Sequence, residues 1–343
     1  MASAAGVGVV RGASGEVPGA PGQAGCRAVV SGVPLSSSRS AVLAVTAAVM
    51  GAFAANSVIA RLALRETAID AATFTGVRLV AGAVVLAAVV RLRGGRIGGS
   101  WASAAALFVY AAGFSAAYLA LSAGTGALLL FGAVQLTMIG WGRIQGDRLT
   151  GAQTAGVVLA LGGLVALVAP GVAAPPAGAA LAMAAAGFAW GLYSLRGRGT
   201  DDPAAATAGN FVRAVPFALV LAWMHVARGR PMVPDPGGLA WAALSGAVTS
   251  GLGYLAWYAV LPSLRAASAA TVQLSVPVLA ALGGVAVLGE PITARLALAS
   301  AVTLGGIALV VRQRPPGPRP RRIARPSCGP RGSTARARSA PAR

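Results

Sequence analysis

The apolar residues of this chain gather into runs of about 18–25 residues, the length an α-helix needs to cross a roughly 30 Å hydrocarbon layer. Backbone placed in such a layer has no water to bond to. An α-helix bonds within itself and satisfies it, so the expected class is an all-α integral membrane protein. Ten spans are expected near 41–60, 71–90, 101–121, 124–142, 152–169, 177–195, 207–226, 238–261, 267–288 and 294–311. Breakers such as Pro170-Gly171, Pro175-Pro176 and Asp202-Pro203 separate them. Charged residues make up 10% of the chain, against about 25% in soluble domains, too few to cover a water-facing surface. Residues 1–40, rich in Gly, Ser, Ala and Pro, and residues 313–343, rich in Arg and Pro, read as disordered tails.

The spans repeat. At an offset of 143, Gly146-Asp147 falls on Gly289-Glu290, Thr150 on Thr293, and Leu161-Gly162-Gly163 on Leu304-Gly305-Gly306. Further upstream, at an offset of 135, Arg61 falls on Arg196 and Arg78 on Arg213. Two units follow, 41–169 and 177–312, each with five spans. An odd number of spans makes the second copy enter from the opposite side, so the units are expected to be inverted repeats related by an axis in the membrane plane. With the N-terminus inside, Arg91, Arg93, Arg96, Arg143, Arg148, Arg196, Arg198 and Arg265 fall in inside loops. Arg61, Arg65, Arg228, Arg230 and Arg295 fall outside. This bias, strengthened by both tails, places the two termini in the cytoplasm and the chain in the cytoplasmic membrane.

The net charge of +20 does not signal a nucleic-acid partner, because the arginines flank spans or crowd the tail from Arg312 to Arg343. That tail suits anionic lipid headgroups. There is no lysine, which excludes a P-loop or Schiff-base lysine. The single histidine, His225, excludes His-rich metal centres, and it reads as an interface residue at a span end. Cys26 and Cys328 lie in opposite tails. No cofactor, metal or catalytic residue is expected, and the sequence assigns no oligomeric state.

Two five-helix units, each with Arg in its second span and a Gly-acid-x-hydrophobic-Thr after its fourth, resemble the EamA domains of the drug/metabolite transporter superfamily. Gln273-Leu-Ser-Val-Pro277-Val-Leu, Gly289-Glu290-Pro-Ile and Gly305-Gly306 carry the likeness in the second unit. The first unit departs from the pattern, with Val134 where the family usually has Pro and Asp147 where it has Glu. The resemblance covers about 41–312. It implies alternating-access transport of a small solute, often export of amino acids or related metabolites. A non-transporting scaffold or receptor, and an intramembrane lipid-modifying enzyme, are the alternatives. The enzyme would need buried acid or His clusters, and no acid falls deep in a span.

Arg78 and Arg213 lie about seven residues inside their spans. Mid-membrane arginine costs at least about 2.5–3.5 kcal/mol. Each therefore either holds a carboxylate or a gate, or relieves its charge by snorkelling or on a helix-end carbonyl. Asn56, Gln135 and Gln273 offer amides to a zwitterion near the midplane. Trp190 with Tyr254 and Tyr258, four apart on one helix face, offers a wall for an apolar side chain, and Tyr118 joins these candidates. Pro216 and Pro277 interrupt spans and are candidate hinges. Asp147 and Glu290 read as caps on the helices that follow them, with proton coupling the alternative.

Overall fold

A computed structural model describes residues 39–312 apart from 147, 172–173, 198–199 and 265. Both cysteines, Asp147, Arg198, Arg265 and nearly all of the two tails lie outside the described residues.

All regular structure among the described residues is helical. The elements are α1 (Arg39–Glu66), α2 (Ala71–Leu92), α3 (Trp101–Tyr118), α4 (Ala123–Ile144), α5 (Gly151–Val168), α6 (Ala177–Arg196), α7 (Pro203–Ala227), α8 (Pro236–Leu244), α9 (Gly253–Val260), α10 (Ala266–Gln273), α11 (Ser275–Leu288) and α12 (Ala294–Arg312). Ten stretches are long and apolar enough to cross a membrane. The eighth is composite: α8 runs through a π-helical segment, Ser245–Leu252, into α9.

Short polar residues start the helices. Asp70, Ser100, Ser122, Asp202 and Asp235 accept backbone N–H bonds at the first turns of α2, α3, α4, α7 and α8. Thr150 and Gln153 form a reciprocal capping box on α5. Such caps satisfy donors that a helix cannot bond internally. Leu43, Val84, Val158, Val165, Leu219, Trp223 and Leu298 remain exposed around the bundle, which suits hydrocarbon as solvent.

Four structural findings modify the sequence reading. The first span extends six residues past its expected end, to Glu66. The expected eighth helix contains the π segment. The ninth span breaks at Leu274, between α10 and α11. Pro277 occupies the first turn of α11, where its missing N–H is tolerated, so the interruption lies just upstream of the proline. Pro216, by contrast, sits inside a continuous α7.

The helices pair along their lengths: α5 with α12, α2 with α7, α3 and α4 with α6, and α1 with α11 and the composite span. Alanine, leucine and aromatic side chains fill the main core between them, and Ala160, Leu274 and Ile307 form a second, smaller cluster.

Candidate functional site

The site begins with a buried charge. Arg78, in the third turn of α2, is 1% exposed. Snorkelling is therefore not how its charge is accommodated. Its Nε donates to Ser250 Oγ at 3.2 Å and its Nη2 to the Tyr110 hydroxyl at 2.8 Å. Its guanidinium carbon lies 5.0 Å from the Tyr110 ring centre and 4.7 Å from that of Phe114, close enough for cation–π attraction. Nη1 has no hydrogen-bond partner. Arginine stays protonated even when buried, yet no ion pair to Arg78 occurs among the described residues.

The π segment brings Ser250 to the arginine. A side chain at Gly246 would place its Cβ 2.1 Å from the Arg78 carbonyl oxygen, so glycine is what lets this backbone lie directly on α2. From the same segment, Ser245 Oγ and Thr249 Oγ1 donate to Asn56 Oδ1 at 2.7 and 2.8 Å. Asn56 Nδ2 in turn points to the Tyr110 hydroxyl at 3.4 Å. π-helical turns recur at functional sites because they re-aim neighbouring side chains.

This network borders a small cavity lined by Phe53, Asn56 and Ser57 of α1, Tyr110 and Phe114 of α3, Leu130 and Phe131 of α4, Trp190 of α6 and Tyr254 of α9. Both halves of the chain contribute. The void is about 20 Å³, room for about one water. Trp190 packs against Tyr110 and Tyr254, each at 4.8 Å between ring centres. Arg78 sits behind this wall, covered by Tyr110 and Phe114.

Of the sequence-derived candidates, Asn56, Trp190 and Tyr254 line the cavity and Arg78 backs it. The others lie elsewhere. Arg213 is bonded to the Gly98 carbonyl and, at 3.1 Å, to that of Gly209. It ties the loop before α3 to α7, so the two repeated arginines do different work. Tyr118 is buried beside Gly126 with its hydroxyl 3.4 Å from the Ala123 carbonyl. Gln135 is buried within α4, and Gln273 ends α10 half-buried. Tyr258 lies by Gly197, one turn beyond Tyr254. Tyr110, Phe114 and Ser57 were missed. Spacing at i, i+4 and i+8 puts Tyr110, Phe114 and Tyr118 on one face of α3, a signal present in the sequence.

Glu290 is not a cap on the helix after it. Its Oε2 accepts from Ala123 N at 2.8 Å, capping α4, and its Oε1 accepts from Arg61 Nε at 3.0 Å. His225 lies 3.6 Å from Asp70. No cluster of three metal-ligating side chains occurs among the described residues.

Residues 177–312 match the EamA-like transporter family. The chain belongs to this family, within the drug/metabolite transporter superfamily. Its EamA unit ends where α12 ends. The chain is 54% identical over 275 residues to the uncharacterized protein PA1977 of Pseudomonas aeruginosa, covering 79% of this chain and 95% of that protein. A 62-residue stretch is 42% identical to an uncharacterized transporter of Archaeoglobus fulgidus, 18% of this chain and 22% of that one. A solved crystal structure at 23% identity aligns with a TM-score of 0.57, covering 78% of this chain and 98% of its own, a likeness of fold. This EamA protein is thus a multi-pass membrane protein of a transporter family.

Proposed function

We propose that this chain is a secondary transporter that exports a small carboxylate-bearing metabolite, in the size range of amino acids and related compounds, across the cytoplasmic membrane by alternating access. The observation that carries this reading is the cavity itself. It is enclosed by helices from both halves of the chain, lined with hydroxyls and aromatic rings, and backed by the buried Arg78. A void of about 20 Å³ admits a metabolite only when its walls separate. The break at Leu274 and the π segment beside the site are places where helices can bend.

Inverted repeats supply the two alternating arrangements in this proposal. The α5–α12 contact supports them. A Cβ on Gly163 would meet Thr303 and Ala299, while one on Gly306 would meet Gly156 and Ala160. Adding 143 to residues 156, 160 and 163 gives 299, 303 and 306, so the two contacts exchange when the halves are exchanged. The paired numbers run in opposite directions, as for antiparallel helices related by an axis perpendicular to both. The arginine bias argues for cytoplasmic termini. The outward direction follows from the resemblance to metabolite exporters.

The test is solute counterflow in proteoliposomes, with a metabolite panel and cells overexpressing the full chain. A transporter gives flux above empty vesicles for at least one solute, lost in Ser250→Ala and Arg78→Gln proteins that still insert. Flux equal to empty vesicles across the panel defeats the reading.

A further inference from the structure

The cavity is backed by one buried positive charge and lined by no negative one, and that asymmetry selects among carboxylate-bearing solutes. Arg78 Nη1, the Tyr254 hydroxyl and the Ser57 hydroxyl are all buried without a hydrogen-bond partner. The Tyr254 hydroxyl lies near the guanidinium and the Tyr110 hydroxyl, and that of Ser57 lies near Tyr118, but none of these approaches has the distance and angle of a hydrogen bond. Tyr110 accepts from both Arg78 Nη2 and Asn56 Nδ2, which leaves its own proton to donate elsewhere. The Ser57 and Tyr254 hydroxyls can accept as well as donate, but the lining offers no anionic acceptor. Asn56 Oδ1 takes the Ser245 hydroxyl proton and shares that of Thr249 with the Ser245 carbonyl, and no Asp or Glu lines the cavity. Glu290 is engaged by Arg61 and the α4 N-terminus. Asp70 is engaged at the α2 N-terminus and by Val233.

Charge points the same way. With one buried guanidinium and no carboxylate, the occupied site is neutral around a monoanion, carries one positive charge around a zwitterion and two around a cation. Burying net charge is costly, and burying a compensated pair much less so. The rest of the lining is apolar and largely aromatic: Phe53, Phe114, Phe131 and Trp190.

We infer that the cavity selects an organic monocarboxylate with a flat apolar body and rejects its α-amino counterpart. The carboxylate takes the donors presented by Tyr254, Tyr110 and Ser57, with Arg78 behind them as the compensating charge, and the apolar body lies among the rings. This selection rests on the transporter reading for its role, although binding alone tests it.

The experiment uses the full chain in nanodiscs with four probes of matched shape: 3-phenylpropanoate, phenylalanine, 2-phenylethylamine and 3-phenylpropanamide. Binding is read by calorimetry and by quenching of tryptophan fluorescence. Phenylpropanoate is expected to bind best, phenylalanine roughly tenfold or more weakly and the amine not measurably, since the ammonium brings a positive charge that no carboxylate of the lining compensates. Arg78→Gln should remove the preference for the acid over the amide. Where that variant fails to fold, Tyr254→Phe and Ser57→Ala, which delete only a hydroxyl, should each weaken the acid several-fold and the amide less. Equal or tighter binding of phenylalanine or the amine overturns the inference, as does absence of acid binding. Counterflow of labelled phenylpropanoate is read separately. Acid binding without flux of any solute overturns the transporter reading and leaves the selectivity standing. Flux of the zwitterion without acid binding does the reverse.

Discussion

At one end of the bundle a single carboxylate joins three segments. Asp70 Oδ1 accepts from the backbone of Ala72 and Thr73, and Oδ2 accepts from the Thr73 hydroxyl and from Val233 N at 2.9 Å, with His225 alongside. Burial alone raises its pKa, but the Thr73 and Val233 hydrogen bonds and the His225 charge outweigh it, and the carboxyl sits below its ordinary value of 3.8. A folded-state pKa below the unfolded one contributes stability at pH above the ordinary carboxylate range. That contribution disappears as pH falls through the depressed value. Thermal unfolding in detergent should therefore show wild-type stability falling below about pH 4. Asp70→Asn keeps one cap oxygen but puts an NH2 donor where the charged oxygen accepts from Val233 N and the Thr73 hydroxyl, so it should be less stable at pH 7 by about 1–3 kcal/mol and show a flatter acid limb; parallel acid limbs count against this role. The cap was legible locally, as an acid before an apolar run. The partners of Arg78 and Arg213 were not. Two arginines at repeated positions look equivalent in sequence, whereas their bonds reach Ser250 and Gly98, across distances in the chain that no periodicity encodes.

Among elements, the α5–α12 pair shows what the repeated Leu-Gly-Gly motif does. One glycine of each pair faces the partner helix and the other faces away. A Cβ at Gly163 would come 2.9 Å from Thr303 N, and one at Gly306 2.5 Å from the Gly156 oxygen, while Gly162 and Gly305 have nothing within 4 Å. Small residues that let backbones approach are the usual means of association in lipid. Gly163→Ala and Gly306→Ala should each destabilise by about 1–3 kcal/mol through overpacking. Gly162→Ala and Gly305→Ala should be neutral or slightly stabilising, since alanine favours helix. Unfolding midpoints of the four variants in one detergent decide; equal effects within each pair sink the packing argument. The helices themselves were legible because length and hydropathy suffice to define a span. The π segment and the break at Leu274 were not, because they depend on neighbouring elements: Gly246 sits on the Arg78 backbone, and that contact leaves no trace in the hydropathy of 238–261.

For the molecule as a whole, the Arg61–Glu290 pair joins helix ends that are far apart in the chain. Arg61 donates to Glu290 and to the carbonyls of Tyr118 and Leu119, while Glu290 caps α4. The pair thus gathers α1, the end of α3, the start of α4 and the α11–α12 connection. Both side chains are largely buried, at 14% and 7% exposed, so removing one partner leaves the other desolvated and uncompensated. In the proposed transport cycle this end must open, and a weaker latch shifts the population toward the open form. Glu290→Gln keeps the size of the side chain and removes its charge, at a cost of order 1–3 kcal/mol to the closed arrangement, a change of roughly five- to 150-fold in the ratio of closed to open forms. A thiol placed at Ser57, in a background with Cys26 and Cys328 replaced by Ser, reports the opening. Its labelling by a membrane-impermeant maleimide should speed up several-fold on adding Glu290→Gln. The acceleration should occur in intact cells, because in the proposed orientation Arg61 lies on the outer side. Acceleration confined to inside-out vesicles reverses the proposed orientation, and unchanged labelling from both sides removes the latch.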